Sequence, residues 1–286
     1  MRSSTRVSGI SRPAVQVGAG ALVVGVAIVF AVLGPRVAPH DPLGYDVQNV
    51  LQGPNVRHLL GTDPLGRDVL SQIIIGTRLS LAVGVVSVLL GMAAGTVIGL
   101  VAGHVPGRAS DLLMRAMDAL LAFPSLVLAL AVTAFLGVGL LNIIGALAIT
   151  VVPTFALLVR GDVLALSRQD FVMSALALGA KRHRIMWRHL LPNLSDILLV
   201  QTSFGIGIAI LTEASLSFLG LGVPPPVLSW GRMLREGYSF VLQSPWISVS
   251  AGVAIFLVVL AFQILADGLQ SMLARRGPAL RREASS

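Results

Sequence analysis

The residues best able to do chemistry in this chain are gathered between positions 160 and 196. Arg160, Arg168, Lys181, Arg182, Arg184 and Arg188 lie there, with Asp170, His183 and His189 among them and Gly179 near the middle. Their types argue for contact rather than catalysis. Lys181 is the only lysine; Arg182 follows it and no glycine directly precedes it. It therefore cannot serve a nucleotide-binding loop of the form Gly-x-x-x-x-Gly-Lys-Ser/Thr, whose lysine must reach the phosphates. His40, His58 and His104, like His183 and His189, fall in predicted loops or at the edges of apolar runs, and none forms His-Glu-x-x-His. With no cysteine there is no thiolate nucleophile and no cysteine-based metal site. No base–nucleophile pair is legible, so no catalytic residue, cofactor or metal is expected in this chain. What remains is a long basic loop. Such a loop is costly in lipid, so it must face water and offer its surface to something there.

The elements that position this loop are membrane helices. Of the 286 residues, 55% are hydrophobic and 12% charged, with a mean hydropathy of +0.86. A soluble domain carries about a quarter charged residues; this chain cannot cover a globule with polar groups, so lipid must cover it. The net charge of +8 sits in short blocks between apolar runs, the pattern of membrane topology rather than of a nucleic-acid footprint. A span needs about 20 apolar residues. Runs of that kind predict spans over 14–34 and 79–103, two more within the uncharged stretch between Asp118 and Arg160, and others over 198–219 and 247–266. The two middle spans would start near Asp111, turn near Gly137 and Gly139, and end near Leu158. Six spans place both termini on one side. That side then holds fifteen of the Lys and Arg residues against six on the other, which orients the termini and the basic loop to the cytoplasm. The expected organisation is a cytoplasmic tail (1–13), a first span (14–34) and an extracytoplasmic segment with a short amphipathic helix (35–78). A core of five spans (79–269) carries the 160–196 loop, and a cytoplasmic tail (270–286) closes the chain.

Within the spans, Gly91, Gly95, Gly99 and Gly103 recur every fourth residue and predict close helix packing, which in lipid relies on small residues. Asp111, Arg115 and Asp118 have helical spacing and could neutralise one another. Glu213 is deep in the fifth span; a cavity or helix contact with Ser217 is the expected role. Asp63-Pro64 reads as the N-cap and first residue of a short helix toward Ile75. Trp230, Tyr238 and Trp246 are expected at the outer interface.

In the basic loop, apolar and small residues over 170–178 recur at three to four and predict a short helix ended by Gly179. A second, basic helix is expected over 181–191. Such a pair suits a groove on another protein, and it equally suits anionic lipid.

Phe171-Val172-Met173-Ser174-Ala175-Leu176-Ala177-Leu178-Gly179-Ala180, followed by His189-Leu190-Leu191-Pro192-Asn193, resembles the EAA loop of bacterial ABC importer permeases. Gly-Thr-Asp-Pro-Leu-Gly-Arg-Asp over 61–68, and Glu213-Ala214-Ser215-Leu216-Ser217-Phe218-Leu219-Gly220 with Pro225, Pro226 and Ser229-Trp230-Gly231, resemble segments of the C-type subunit of the dipeptide and oligopeptide importers. Nickel importers share much of the pattern. The resemblance implies an all-α, polytopic bundle of six transmembrane helices with the type I ABC importer permease architecture, in the bacterial cytoplasmic membrane. It implies a pairing with a homologous second permease, two ABC ATPase domains that hold the ATP and magnesium, and an extracytoplasmic substrate-binding protein. The cargo would be a small peptide, or nickel or another small solute. Asp170, Phe171, Met173, Ser174, Ala175, Leu178, Gly179, Ala180, Lys181 and Arg182 would form the coupling helix that docks on an ATPase, supported by Arg184, Arg188 and His189. The family's motif glutamate falls at Met173, so the resemblance implies an apolar anchor there, Asp170 as a substitute acid, or a weakened or asymmetric docking site. A stand-alone secondary transporter or channel would need several buried ion ligands or broken-helix repeats, and only Glu213 lies well inside a span.

Overall fold

The computed structural model describes residues 12–105 and 107–283; most of the expected tail at 1–13 and the last residues of the other tail lie outside them. The described chain is helical. Its elements are α1 (Arg12–Val37), α2 (Val69–His104), α3 (Arg108–Leu121), α4 (Ser125–Leu136), α5 (Leu140–Leu166), α6 (Asp170–Ala177), α7 (Arg182–Ile185), α8 (Leu191–Asn193), α9 (Ser195–Phe218), α10 (Trp230–Tyr238) and α11 (Trp246–Glu283). A 3-10 turn, Val47–Asn49, interrupts the segment between α1 and α2, and a π-helical stretch, Met186–Leu190, joins α7 to α8. Five helices are long and apolar enough to cross a membrane. The pair α3 and α4, bent by 97°, brings the number to six if it counts as one span.

The bend has a local cause. Pro124 has no N–H to give and pushes Phe123 out of the helical region, so α3 ends at Leu121 and α4 restarts at Ser125. The pair still carries the chain from one end of the bundle to the other. Ser110 Oγ donates to the Ala102 carbonyl near the end of α2, and α4 ends just before α5 begins. Asp111, Arg115 and Asp118 are exposed along α3. No ion pair joins them among the described residues, which corrects the neutralising cluster expected there.

Helix α2 organises the bundle. Gly91 lies against Val151, Gly95 against Val152 and Phe155, Gly99 against Ala156 and Val159, and Gly103 against Val163. The numbers rise together, so α2 and α5 run parallel. On the neighbouring flank Gly84 meets Ile210 and Gly205 meets Val88, so α9 runs antiparallel. Helix α1 packs antiparallel on α11, with Gly20 against Ala261 and Gly268 against Val17. The largest buried apolar cluster lies among α1, α2, α9, α10 and α11 and includes Val69, Leu81, Ile210, Trp230 and Phe262.

The second helix starts earlier than the apolar run suggests. It begins at Val69 rather than Leu79 and is one continuous element, with no separate amphipathic helix before it. At 36 residues it is about 54 Å long, against a hydrocarbon core of about 30 Å. Its N-cap is Asp68, whose carboxylate accepts from the Ser71 amide at 2.8 Å. Asp63 is instead the hub of the preceding loop. Its Oδ1 accepts from the Leu65 and Arg67 amides at 2.8 and 2.9 Å, and its Oδ2 accepts from Gln72 Nε2 at 2.7 Å and from Arg67 Nε. Gly66, at φ +75°, forbids a helix through this stretch, and a Cβ there would strike the Asp46 carbonyl. Arg67 continues to Glu236 at 3.3 Å, which Arg232 also holds at 2.7 Å, so the loop ties α2 to α10. Burial alone would raise the Asp68 carboxyl, but hydrogen bonds from Ser71 and His58, with His40 nearby, hold it below the usual carboxylate range.

Two further expectations change. Trp230 is buried rather than interfacial: its indole N–H donates to the Ile73 carbonyl at 3.1 Å and its amide to Ser80 Oγ at 3.3 Å. Tyr238 and Trp246 remain exposed. Helix α5 runs past Leu158 to Leu166 and carries Arg160 and Asp162 with it.

The glycine stripe makes a direct prediction. A Cβ on Gly95 would lie 2.5 Å from the Val152 carbonyl oxygen, and one on Gly99 2.6 Å from that of Ala156, whereas one on Gly145 meets nothing within 4 Å. Overpacking of this kind costs about 1–3 kcal/mol. Gly95→Ala and Gly99→Ala should each lower the thermal midpoint of the purified protein by several degrees, while Gly145→Ala leaves it unchanged. Equal behaviour of all three would mean that α2 and α5 are not in backbone contact.

Candidate functional site

The basic loop follows from the ends of α5 and α9 and closes one end of the bundle. α6 starts at Asp170, whose acid suits the positive end of a helix. It stops in a Schellman turn: the Ala180 amide donates to the Ala175 carbonyl at 3.0 Å, the Gly179 amide to that of Leu176 at 2.9 Å, and Gly179 takes φ +80°. A side chain is strained at that φ, so the glycine fixes the direction in which the chain leaves.

The second helical part is not the single α-helix expected over 181–191. After α7 the ladder widens into the π stretch, and the Leu191 amide donates to the Met186 carbonyl. Pro192 is the cause: it has no amide for the regular bond and crowds the carbonyl four residues back. Asn193 Nδ2 donates to the His189 carbonyl at 2.6 Å. The chain then passes through α8 into α9 with little interruption.

Apolar anchors hold the loop down. Val172, Ile185, Met186, Leu190 and Leu194 are buried against Leu100 of α2 and against Val159 and Val163 of α5. His104 at the end of α2 faces Ser167 Oγ at 3.4 Å. Side chains away from this seat point outward. Asp170, Phe171, Met173, Ser174, Leu178, Gly179, Lys181, Arg182, Arg184 and Arg188 are exposed, and Ala175, Ala180 and His189 are half-buried. Leu178 is 88% exposed and Met173 55%; Phe171, Leu176 and Trp187 also show apolar surface. Asp170, Met173 and Ser174 are spaced i, i+3, i+4 and share a face of α6. The outer surface of the loop is therefore an apolar helix beside a basic turn, on an apolar seat shared by α2 and α5. Sequence reasoning placed the exposed residues but not the seat. Its signal was the set of apolar positions 172, 185, 190 and 194, legible as anchors only once α2 and α5 are known to end side by side.

Glu213 lies elsewhere. It is fully buried where α9 meets α2 and α10, and its Oε1 accepts from Ser217 Oγ at 2.7 Å. Ser80 and Ser229 flank the same carboxylate, while Oε2 makes no hydrogen bond among the described residues. Near the opposite end of the bundle from the basic loop, a cleft of about 880 Å³ is bordered by Arg67, Arg232, Arg235, Glu236 and the proline run at 224–226. None of its charged residues was singled out from sequence. They become neighbours because the loop at 61–68 folds against α10.

Comparison with known proteins bears on what this arrangement serves. Residues 95–276 match the family model described as "Binding-protein-dependent transport system inner membrane component". The glutathione transport system permease protein GsiD of Pectobacterium atrosepticum is 44% identical over 263 residues, spanning 92% of this chain and 87% of that protein. GsiD of Escherichia coli is 45% identical over 254 residues, spanning 88% and 84%. Among solved structures, the inward-facing MetNI methionine ABC transporter aligns with a TM-score of 0.53 over 69% of this chain and 96% of that one; at 17% identity this bears on the fold alone. The chain thus belongs to the binding-protein-dependent transport inner membrane family and, within its dipeptide and oligopeptide group, is the permease subunit of an ABC importer.

Proposed function

We propose that this subunit imports di- or oligopeptides, and that ATP hydrolysed in partner subunits reaches it through the loop built on α6. The observation that carries the reading is the pairing of an outward apolar helix with a buried seat. The exposed face of α6 suits a cleft on an ATPase, and Val172, Ile185 and Leu190 pass any displacement to α2 and α5. ATP and magnesium belong to those partners. The excess of Lys and Arg on one side supports a cytoplasmic position for both termini and the loop, with the bent pair counted as one of six spans. A homologous second permease would complete the pathway, and an extracytoplasmic binding protein would deliver cargo at the end bearing the 61–68 loop. ATP acts by favouring one of two packings of the bundle, and it can do so only through contacts that differ between them. Peptide cargo is favoured because the curated relatives are named for glutathione, a tripeptide.

Asp170 supplies the acidic contact that Met173 does not. It lies one turn from Met173 on the same exposed face. Asp170→Arg and Leu178→Asp should each cut the yield of co-purified ATPase about tenfold, with little change in the thermal midpoint because exposed substitutions cost about 0.5 kcal/mol or less. Unaltered ATPase yield in both variants would reject the docking face. Leu190→Ala removes a buried anchor and should cost about 2–5 kcal/mol. Its particle should hydrolyse ATP with less uptake per ATP, and tight coupling in that variant would reject the seat as the path of transmission.

The function itself is tested in proteoliposomes containing both permeases, the ATPases and the binding protein. ATP-dependent uptake of a labelled di- or tripeptide is the expected result. Uptake without ATPases would make the chain a secondary carrier, and uptake of Ni²⁺ without peptide would move it to the nickel branch.

A further inference from the structure

We propose that His40, His58 and Asp68 form a binding site for a divalent transition-metal ion of the zinc type, which clamps the exit of α1 to the start of α2. The three residues come from separate places: His40 follows α1, His58 sits midway in the connecting segment, and Asp68 caps α2. One ligand atom from each lies within 4.8 Å of the others, with His58 and Asp68 buried and His40 half-buried.

The spacing fits a tetrahedral ion. Zinc–nitrogen and zinc–oxygen bonds of about 2.0–2.1 Å put neighbouring ligand atoms about 3.3 Å apart. His58 Nδ1 is 3.0 Å from Asp68 Oδ1, and His40 Nδ1 is 3.7 Å from Asp68 Oδ2. Each imidazole thus faces its own oxygen of the carboxylate at close to ligand spacing, and turning the half-buried His40 ring would bring the set, now within 4.8 Å, onto one ion. His40 Nδ1 is shielded from solvent and has no hydrogen-bond partner among the described residues. It thus points beside a carboxylate without a role that the protein alone provides.

Each ligand is held by its backbone or by a neighbour. The His40 amide donates to Ser71 Oγ at 3.0 Å, and that hydroxyl donates to Asp68 Oδ2 at 2.7 Å. The His58 amide donates to Asn55 Oδ1 at 2.8 Å, and its carbonyl accepts from the Asn55 and Gly61 amides. The imidazole rings lie 4.8 Å apart, tilted by 36°. Ser71 keeps Asp68 Oδ2 while Oδ1 faces His58, the kind of outer support that orients metal ligands. Two imidazoles and one carboxylate select zinc, nickel, cobalt or copper over magnesium and calcium, which prefer oxygen. Coordination through His58 Nδ1 would move its proton to Nε2, an atom without a partner among the described residues. The positive end of α2 opposes a cation, and the Asp68 carboxylate between them offsets it. The described residues offer three ligands, so water would complete a tetrahedral shell.

The test uses the full-length, tag-free chain in lipid nanodiscs, dialysed against Zn²⁺ and then metal-free buffer. The wild type should retain one zinc per chain, and Co²⁺ in its place should show the intense visible bands of a four-coordinate N/O site. His40→Gln, whose ring makes no hydrogen bond in the fold, should weaken Zn²⁺ binding by about tenfold or more and should abolish any rise in thermal midpoint on adding Zn²⁺. Substoichiometric zinc in the wild type, a six-coordinate cobalt spectrum, or unchanged affinity in His40→Gln would each overturn the site. If His40→Gln fails to fold, the cobalt spectrum of the wild type decides. Because the readout is metal binding, it stands apart from peptide transport.

Discussion

The bundle depends on the close approach of the α2 and α5 backbones. Lipid gives two helices little hydrophobic reason to prefer each other over the surrounding chains, so attraction comes from short-range dispersion and weak hydrogen bonds. Those fall away with small increases in distance. Glycine at 91, 95, 99 and 103 lets Val151, Val152, Ala156 and Val163 come near enough for them to act. Gly20, Gly84, Gly231 and Gly268 serve equally close contacts elsewhere in the bundle. Surfaces packed so closely move between discrete arrangements more readily than they deform, a property an alternating transporter needs.

The two ends of the α2 and α5 pair are finished by different physics. At the start of α2, buried polar groups do the joining: Asp63 gathers two amides, Gln72 and Arg67, and Arg67 hands the connection to Glu236 on α10. Such a network is directional and tolerates few substitutions, because each partner removed leaves another group buried and unsatisfied. At the far end, Leu100, Val159 and Val163 receive Val172, Ile185 and Leu190. That contact is apolar and without preferred direction, and it leaves the polar and charged residues of the loop free to face outward. One end specifies geometry; the other is the end that would transmit motion from a docked partner.

How much of this could be read from sequence follows from which forces act locally. Uncharged runs located α1, α9 and the starts of α5 and α11 within a few residues, because the cost of charge in lipid is paid residue by residue, whereas α5 and α11 run on well past Leu158 and Ala266 into charged sequence. Gly179 marked the end of α6 for an equally local reason. The start of α2 was misplaced since Asp63-Pro64 has the form of a helix cap, while the groups that claim the Asp63 carboxylate include Gln72, which becomes a neighbour only after folding. Trp230 followed the usual preference of tryptophan for the interface until Ile73 offered its carbonyl inside. The π stretch before Pro192 was foreshadowed by the proline, yet its register depends on how α9 is anchored. His40, His58 and Asp68 show no motif spacing at all; the segment between α1 and α2 must close on itself before they meet. Close family resemblance favoured a protein groove for the α6 loop, which the residues alone left divided between a protein groove and a lipid surface.

Helix α2 contains no proline between Val69 and His104 and spans both finished ends without a break. A straight rod of about 54 Å works as a lever arm: tilting it by a few degrees at the polar hub swings its other tip by several ångströms. Whatever grips the hub is mechanically in touch with whatever grips the α6 loop. Coupling free energies are reciprocal, so with a motor docked on the α6 loop and cargo arriving at the hub, as proposed, each would alter the hold on the other to the same degree.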